Sequence, residues 1–144
     1  MWASSLSHND LTGCGRSGIL AVHQLEHAVS GKFDSVAHGA GLSVLFPAWM
    51  KYVKDAAPKR LAQFARGVFD VAEKDDSLAA DLGIKALEEF FAEIGMPLKL
   101  SEFGIGKEHC DDLADLCTYG GKRKITGLVE LGFEELKEIF DMAL

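Results

Sequence analysis

The sequence has no long hydrophobic run, no stretch of strict alternation between apolar and polar residues, and few cysteines. Each shortage excludes something. The longest apolar-rich segment, Gly39 to Val53, is closed by Lys51 and Lys54 and is too short to cross a bilayer, so no membrane span is expected. Without period-two alternation there is no strand to predict, and without internal repeats or low-complexity linkers the chain is not an array of modules. Cys14, Cys110 and Cys117 make an odd count, and the start of the chain carries no charged-then-apolar signal segment. Both features point to a reducing, cytoplasmic compartment. Cys110 and Cys117 stand two helical turns apart with no second ligand pair nearby, so they read as small buried hydrophobes and not as a zinc site.

Positive charge is also scarce. Fifteen Lys and Arg against 22 Asp and Glu leave a net charge of −7, which repels a phosphate backbone and excludes nucleic acid as a partner. The one basic run, Lys122-Arg123-Lys124, reads as a solvated turn. What the chain does have is core material: 48% of its 144 residues are hydrophobic and 26% charged, enough for a single globular domain over residues 1–144.

That apolar content has helical period. Leu42, Leu45, Phe46, Trp49, Met50 and Val53 form one stripe of an amphipathic helix, in which Pro47 predicts a kink or a helix that begins near it. Leu61, Phe64, Ala65, Val68, Phe69 and Ala72 mark a second helix starting at Pro58, whose fixed φ and missing N–H suit a first turn. Leu87, Phe90, Phe91 and Ile94 mark a third, stopped by Gly95 and Pro97. Leu136, Ile139, Phe140 and Ala143 mark a last one, and Lys107 to Thr118 a weaker one. The aromatic stripes are expected to be core. The fold class is all-α, a compact helical array.

Gly13-Cys14-Gly15-Arg16-Ser17-Gly18 matches the G-x-G-x-x-G of dinucleotide-binding turns. That mechanism needs a buried strand feeding the turn and a parallel sheet behind the helix, and Ser4 to Asp10 is polar with no strand pattern. The motif is read as a glycine-rich loop.

Of the five histidines, His23 and His27 stand four apart in Val22-His23-Gln24-Leu25-Glu26-His27-Ala28-Val29, so on a helix both imidazoles project from one face. Val22, Leu25 and Val29 would hold that helix against a core. His38 follows beside Gly39 and Gly41, which permit close approach of backbone and substrate. The set suits a metal, but it is not the zincin H-E-x-x-H: the general-base position is Gln24, and Glu26 falls in the wrong place for that role. His8 and His109 are expected to be surface residues.

At these residues the sequence resembles the iron-containing alcohol dehydrogenases, in particular their butanol dehydrogenase-like branch. The likeness runs through Ser5-Leu6-Ser7-His8-Asn9, Leu11-Thr12-Gly13, His23-Gln24-Leu25-Glu26-His27, Ala37-His38-Gly39-Ala40-Gly41-Leu42 and Phe46-Pro47-Ala48-Trp49-Met50-Lys51-Tyr52 to the final Ala143-Leu144. It implies the helical C-terminal domain of those enzymes, a dehydroquinate synthase-like α domain, without their N-terminal NAD(P)-binding domain. It implies His23 and His38 as ligands of a divalent metal, Fe²⁺ or Zn²⁺, and His27 as a proton-relay or substrate-positioning group. An Asp and a further His that complete the family's metal site have no counterpart here. The implied reaction interconverts primary alcohols and aldehydes with NAD(P), with a small-molecule alcohol or aldehyde as partner, and is compatible with a homo-oligomer; the isolated chain is expected to be inactive. Two departures bear on the register of His38. Ile19-Leu20 stand where the family carries an Asp-Trp pair, and the segment between His27 and His38 is one residue longer than usual. The competing reading is a catalytically dead helical module that exposes an apolar face for protein interaction or binds metal weakly.

Overall fold

A computed structural model describes residues 1–13 and 20–144. The G-x-G-x-x-G segment and Ile19 fall largely outside the described residues. Within them the fold is helical: α1 (Trp2–His8), α2 (Ala21–Lys32), α3 (His38–Val53), α4 (Pro58–Phe69), α5 (Asp76–Glu93), α6 (Cys110–Thr118) and α7 (Phe133–Met142), joined by short 3₁₀ turns. Among the described residues there is no sheet, only one antiparallel bridge between Ile125 and Leu131 that closes the loop before α7. No helix of the described residues is long and apolar enough to cross a membrane.

The helix ends follow local chemistry. Pro58 occupies the first turn of α4, where its missing N–H costs nothing. The Asp75 carboxylate accepts from the Leu78 N–H at 2.9 Å and caps α5. Gly95, at φ +73°, ends that helix in the left-handed region that glycine adopts without a Cβ penalty. The expected weak helix is a 3₁₀ turn, Lys107–His109, running into α6. Of the two expectations at Pro47, a helix beginning near it is not what is seen: α3 begins nine residues earlier, at His38, and contains the buried proline. The ring removes one backbone hydrogen bond to Ser43, and packing on both sides of α3 compensates. The Ser43 hydroxyl lies 2.8 Å from Ala40 O and 2.9 Å from Pro97 O, tying the segment after α5 onto α3.

Two apolar clusters share α3. The larger packs α2, α3, α6 and α7 around Leu25, Val29, Leu45, Leu113, Leu136 and Phe140. The smaller joins Met50 and Val53 to Leu61 of α4 and to Ala80 and Ile84 of α5. Cys110 and Cys117 are buried in the larger one, as expected, and burial pushes their thiols up to about 11 and about 12. The aromatic and aliphatic stripes are not all core. Val68, Phe90 and Ile94 are 60%, 46% and 53% exposed. The reason is that α5 meets α4 through small residues, Ala79, Ala80 and Gly83, which bring the two backbones close and leave the larger side chains on the flank. The basic triplet is a pinned turn: Arg123 donates from Nε to Cys117 O at 2.7 Å and stacks on the Tyr119 ring, while Lys124 faces Glu130.

Candidate metal centre

Packing of α2 on α3 decides what the histidines can do. Val22, Leu25 and Val29 hold α2 against the core, so His23 and His27 stand together on its outer edge. The extended backbone of Ala37 turns the chain into α3, whose first residue is His38. The three rings converge: His38 lies 5.1 Å from His23 and 5.4 Å from His27, centroid to centroid. One ligand atom of each lies within 4.8 Å of the others. The closest pair, His23 Nδ1 and His38 Nε2, is 3.1 Å apart, near the separation of about 3.3 Å between two nitrogens bound to one tetrahedral ion at ~2.05 Å. The longer segment before His38 does not carry that histidine away from its partners.

Electrostatics favour the neutral form of His23. Partial burial holds His23 below the usual histidine value, helped by the neighbouring His38, His27 and His8, and opposed by Glu26. A neutral imidazole offers a lone pair, which is the form a metal takes. Imidazole donors suit Fe²⁺ and Zn²⁺ alike. Three histidines with open solvent on one side make a donor set with free positions for exogenous ligands.

Two residues of the site were not picked out as functional in the sequence. His8, expected to be an ordinary surface residue, sits at the end of α1 with its ring 6.4 Å from that of His23. Glu26 is fully buried, and its Oε2 contacts His38 Nδ1. The signal for Glu26 was its place on the apolar stripe, one turn after Val22 and just short of one before Val29, where a carboxylate needs a partner. Gly41 also acquires a reason different from the expected approach of a substrate: a Cβ there would lie 2.8 Å from Glu26 Cγ and 2.9 Å from its Oε1, so the close approach is made by Glu26. His109 is a structural residue, accepting from the Gly106 N–H at 3.2 Å and packing edge-on against Phe33.

Two cavities flank the histidines. An apolar cleft of about 750 Å³, walled by Val22, Phe46, Trp49, Leu61, Phe64 and Phe91, has His23 on its rim. A more polar one of about 440 Å³ lies by His27, with Gln24, Tyr119 and Arg123.

Residues 10–143 match the profile described as Fe-containing alcohol dehydrogenase family, C-terminal. A probable NADH-dependent butanol dehydrogenase 1 of Bacillus subtilis is 36% identical over 123 residues, 84% of this chain and 32% of that protein. NADH-dependent butanol dehydrogenase A of Clostridium acetobutylicum is 34% identical over 142 residues, 97% of this chain and 36% of that protein. The crystal structure of NADH-dependent butanol dehydrogenase A from Thermotoga maritima superimposes with a TM-score of 0.87 at 31% identity, covering 99% of this chain and 37% of that one. The chain thus spans about a third of the length of the proteins it matches.

Proposed function

The chain belongs to the Fe-containing alcohol dehydrogenase family, whose C-terminal region it matches, and from that membership we propose that it forms the metal-bearing helical part of an NAD(P)-linked dehydrogenase interconverting primary alcohols and aldehydes. The observation that carries this reading is the convergence of His23, His27 and His38 beside an apolar cleft. We assign His23 and His38 as ligands of a divalent ion, Fe²⁺ by family and Zn²⁺ by equally suitable chemistry. Bound there, the ion supplies Lewis-acid polarisation of an alcohol or aldehyde oxygen.

The chain's own residues do the rest. The cleft walled by Phe46, Trp49 and Phe64 receives the hydrocarbon part of the substrate and excludes water from it, while His23 on its rim marks the end at which the proposed metal, and with it the polar group, would sit. His27 is exposed and sits beside His38, so it can pass a proton between the substrate hydroxyl and solvent. NAD(P) binding is assigned to the part of the relatives' length that this chain does not span, so the 144 residues alone are expected to show no turnover. The cytoplasm, where dinucleotide cofactors and reduced thiols are both available, is the expected compartment.

A chimera tests the reading. The C-terminal third of Clostridium acetobutylicum butanol dehydrogenase A is replaced by this chain, and NADH-dependent butanal reduction is followed. Turnover that falls at least 100-fold on His23→Ala or His38→Ala, with loss of bound metal, and on His27→Ala with the metal retained, is the expected result. A folded, metal-loaded chimera without turnover would refute the proposal.

A further inference from the structure

We propose that Glu26 is the positioning residue of this site: its buried carboxylate holds His38 with the proton on Nδ1 and so aims the Nε2 lone pair into the space shared with His23 and His27. The inference rests on the reading of His38 as a ligand, but its core is a statement about His38 that holds with or without a metal.

Four observations converge on it. Glu26 has no exposed surface, although carboxylates are almost never buried without a partner. Its Oε2 contacts His38 Nδ1, while the other ring nitrogen, Nε2, faces His23 Nδ1 at 3.1 Å. A neutral imidazole carries one N–H and one lone pair, so a proton held on Nδ1 by an acceptor leaves the lone pair on Nε2. The space for the carboxylate exists because residue 41 is glycine; a Cβ there would meet Glu26 Cγ at 2.8 Å and Oε1 at 2.9 Å. Finally, Oε1 is buried with no hydrogen-bond partner among the described residues. A buried ion pair is weak support for stability compared with an apolar side chain of the same size. A carboxylate on the back of a ligating imidazole, by contrast, fixes its tautomer and ring orientation and raises its basicity.

The test reads the tautomer directly. In the metal-free 144-residue chain labelled with ¹⁵N-histidine at pH 8, long-range ¹H–¹⁵N correlation is expected to show His38 protonated on Nδ1 with Nε2 bare, the reverse of the form free imidazole favours. Glu26→Leu, of similar volume and suited to a buried position, should return His38 to the Nε2–H form. It should raise the Co²⁺ dissociation constant about 10- to 100-fold with the thermal midpoint maintained or raised. Glu26→Gln keeps an oxygen that accepts from Nδ1–H and should fall between the two. Gly41→Ala, which reaches the carboxylate from α3, should resemble Glu26→Leu. His38 found as Nε2–H in the unaltered chain overturns the proposal, as does a folded Glu26→Leu chain that binds Co²⁺ as tightly as the parent. A parent chain that binds no Co²⁺ at all counts against the proposed metal site, and the tautomer then decides the role of Glu26 alone.

Discussion

The close contact between α4 and α5 predicts that two glycines on neighbouring helices respond in opposite directions to the same substitution. Gly83 of α5 faces Ala65 of α4 so closely that a Cβ added at Gly83 would lie 2.9 Å from the Ala65 Cα and closer still to its Cβ. Neither atom can rotate away, since both belong to the backbone or are fixed to it, so Gly83→Ala must push α4 and α5 apart. Overpacking of this kind costs about 1–3 kcal/mol, and the rigid neighbour places it near 3. Alanine's better helix propensity returns about 1 kcal/mol, leaving a net loss of about 2. Gly67, near the end of α4, has nothing within 4 Å of its virtual Cβ and no positive φ, so Gly67→Ala should gain about 0.5 kcal/mol. For a chain of this length 1 kcal/mol moves the thermal midpoint by about 3–4 °C. Gly83→Ala should therefore melt about 6–8 °C lower and Gly67→Ala about 2 °C higher, read by circular dichroism or calorimetry. Moving the methyl across the contact, in Ala65→Gly with Gly83→Ala, should recover part of the loss and so show coupling in a double-mutant cycle. A Gly83→Ala chain as stable as the parent would refute the argument that backbone proximity sets this interface.

Two further outcomes follow from groups the structure immobilises. Burial holds the Cys110 and Cys117 thiols up at about 11 and about 12, so at pH 8 only about 10⁻³ and 10⁻⁴ of each is thiolate. Iodoacetamide should leave both unmodified in the native chain and alkylate both in urea. Peptide mapping separates them from Cys14, which lies outside the described residues, and native labelling of Cys117 at the rate of a free thiol would contradict its placement. Arg66 closes the α4–α5 connection, donating to Glu73 O and Lys74 O at 2.9 Å each and to the Asp76 carboxylate at 2.8 Å. Arg66→Ala should cost about 1–2 kcal/mol in urea denaturation, discounted for partial exposure. Arg66→Lys should fail to restore it, because an ammonium cannot serve three acceptors from one planar fork; full rescue by lysine would sink this account.

Helices that bury a stripe announced themselves by period, and those that bury nothing did not. Leu136, Ile139 and Phe140 marked α7 and are all fully buried. α1 buries no residue, so Trp2–His8 offered no apolar stripe to detect, and its one bearing on the site is the position of His8. Pro47 left two readings open, a kink within the helix or a start near it, and the start is the one the structure excludes. Propensity places proline at a helix start, but α3 is shared by both apolar clusters, and the packing of Val44, Leu45, Ala48 and Met50 outweighs one missing hydrogen bond. On α5 the stripe through Leu87, Phe90 and Phe91 was read as core because large apolar residues usually are. The helix seats itself on α4 through Ala79, Ala80 and Gly83; Leu87 does pack against the smaller cluster, whereas Phe90 is exposed and Phe91 joins Leu87 in walling the cleft beside His23.

The site shows how far residue type and spacing reach. The i, i+4 spacing put His23 and His27 on one face, and that much is a property of a single helix. Bringing His38 to them required the angle between α2 and α3, which no local pattern encodes; the resemblance to a family supplied the expectation and the packing of the two helices delivers it. Glu26 was judged against a motif in which a carboxylate acts as a base from the position after the first histidine, and on that test it was in the wrong place. Its proper test was burial. A charged residue on the apolar stripe of α2, facing a glycine on α3, is a buried charge in search of a donor, and the donor is the back of the imidazole at the start of α3. In this chain the histidines are visible one at a time in the sequence, whereas the glutamate and glycine that set His38 in place become legible only as a pair across two helices.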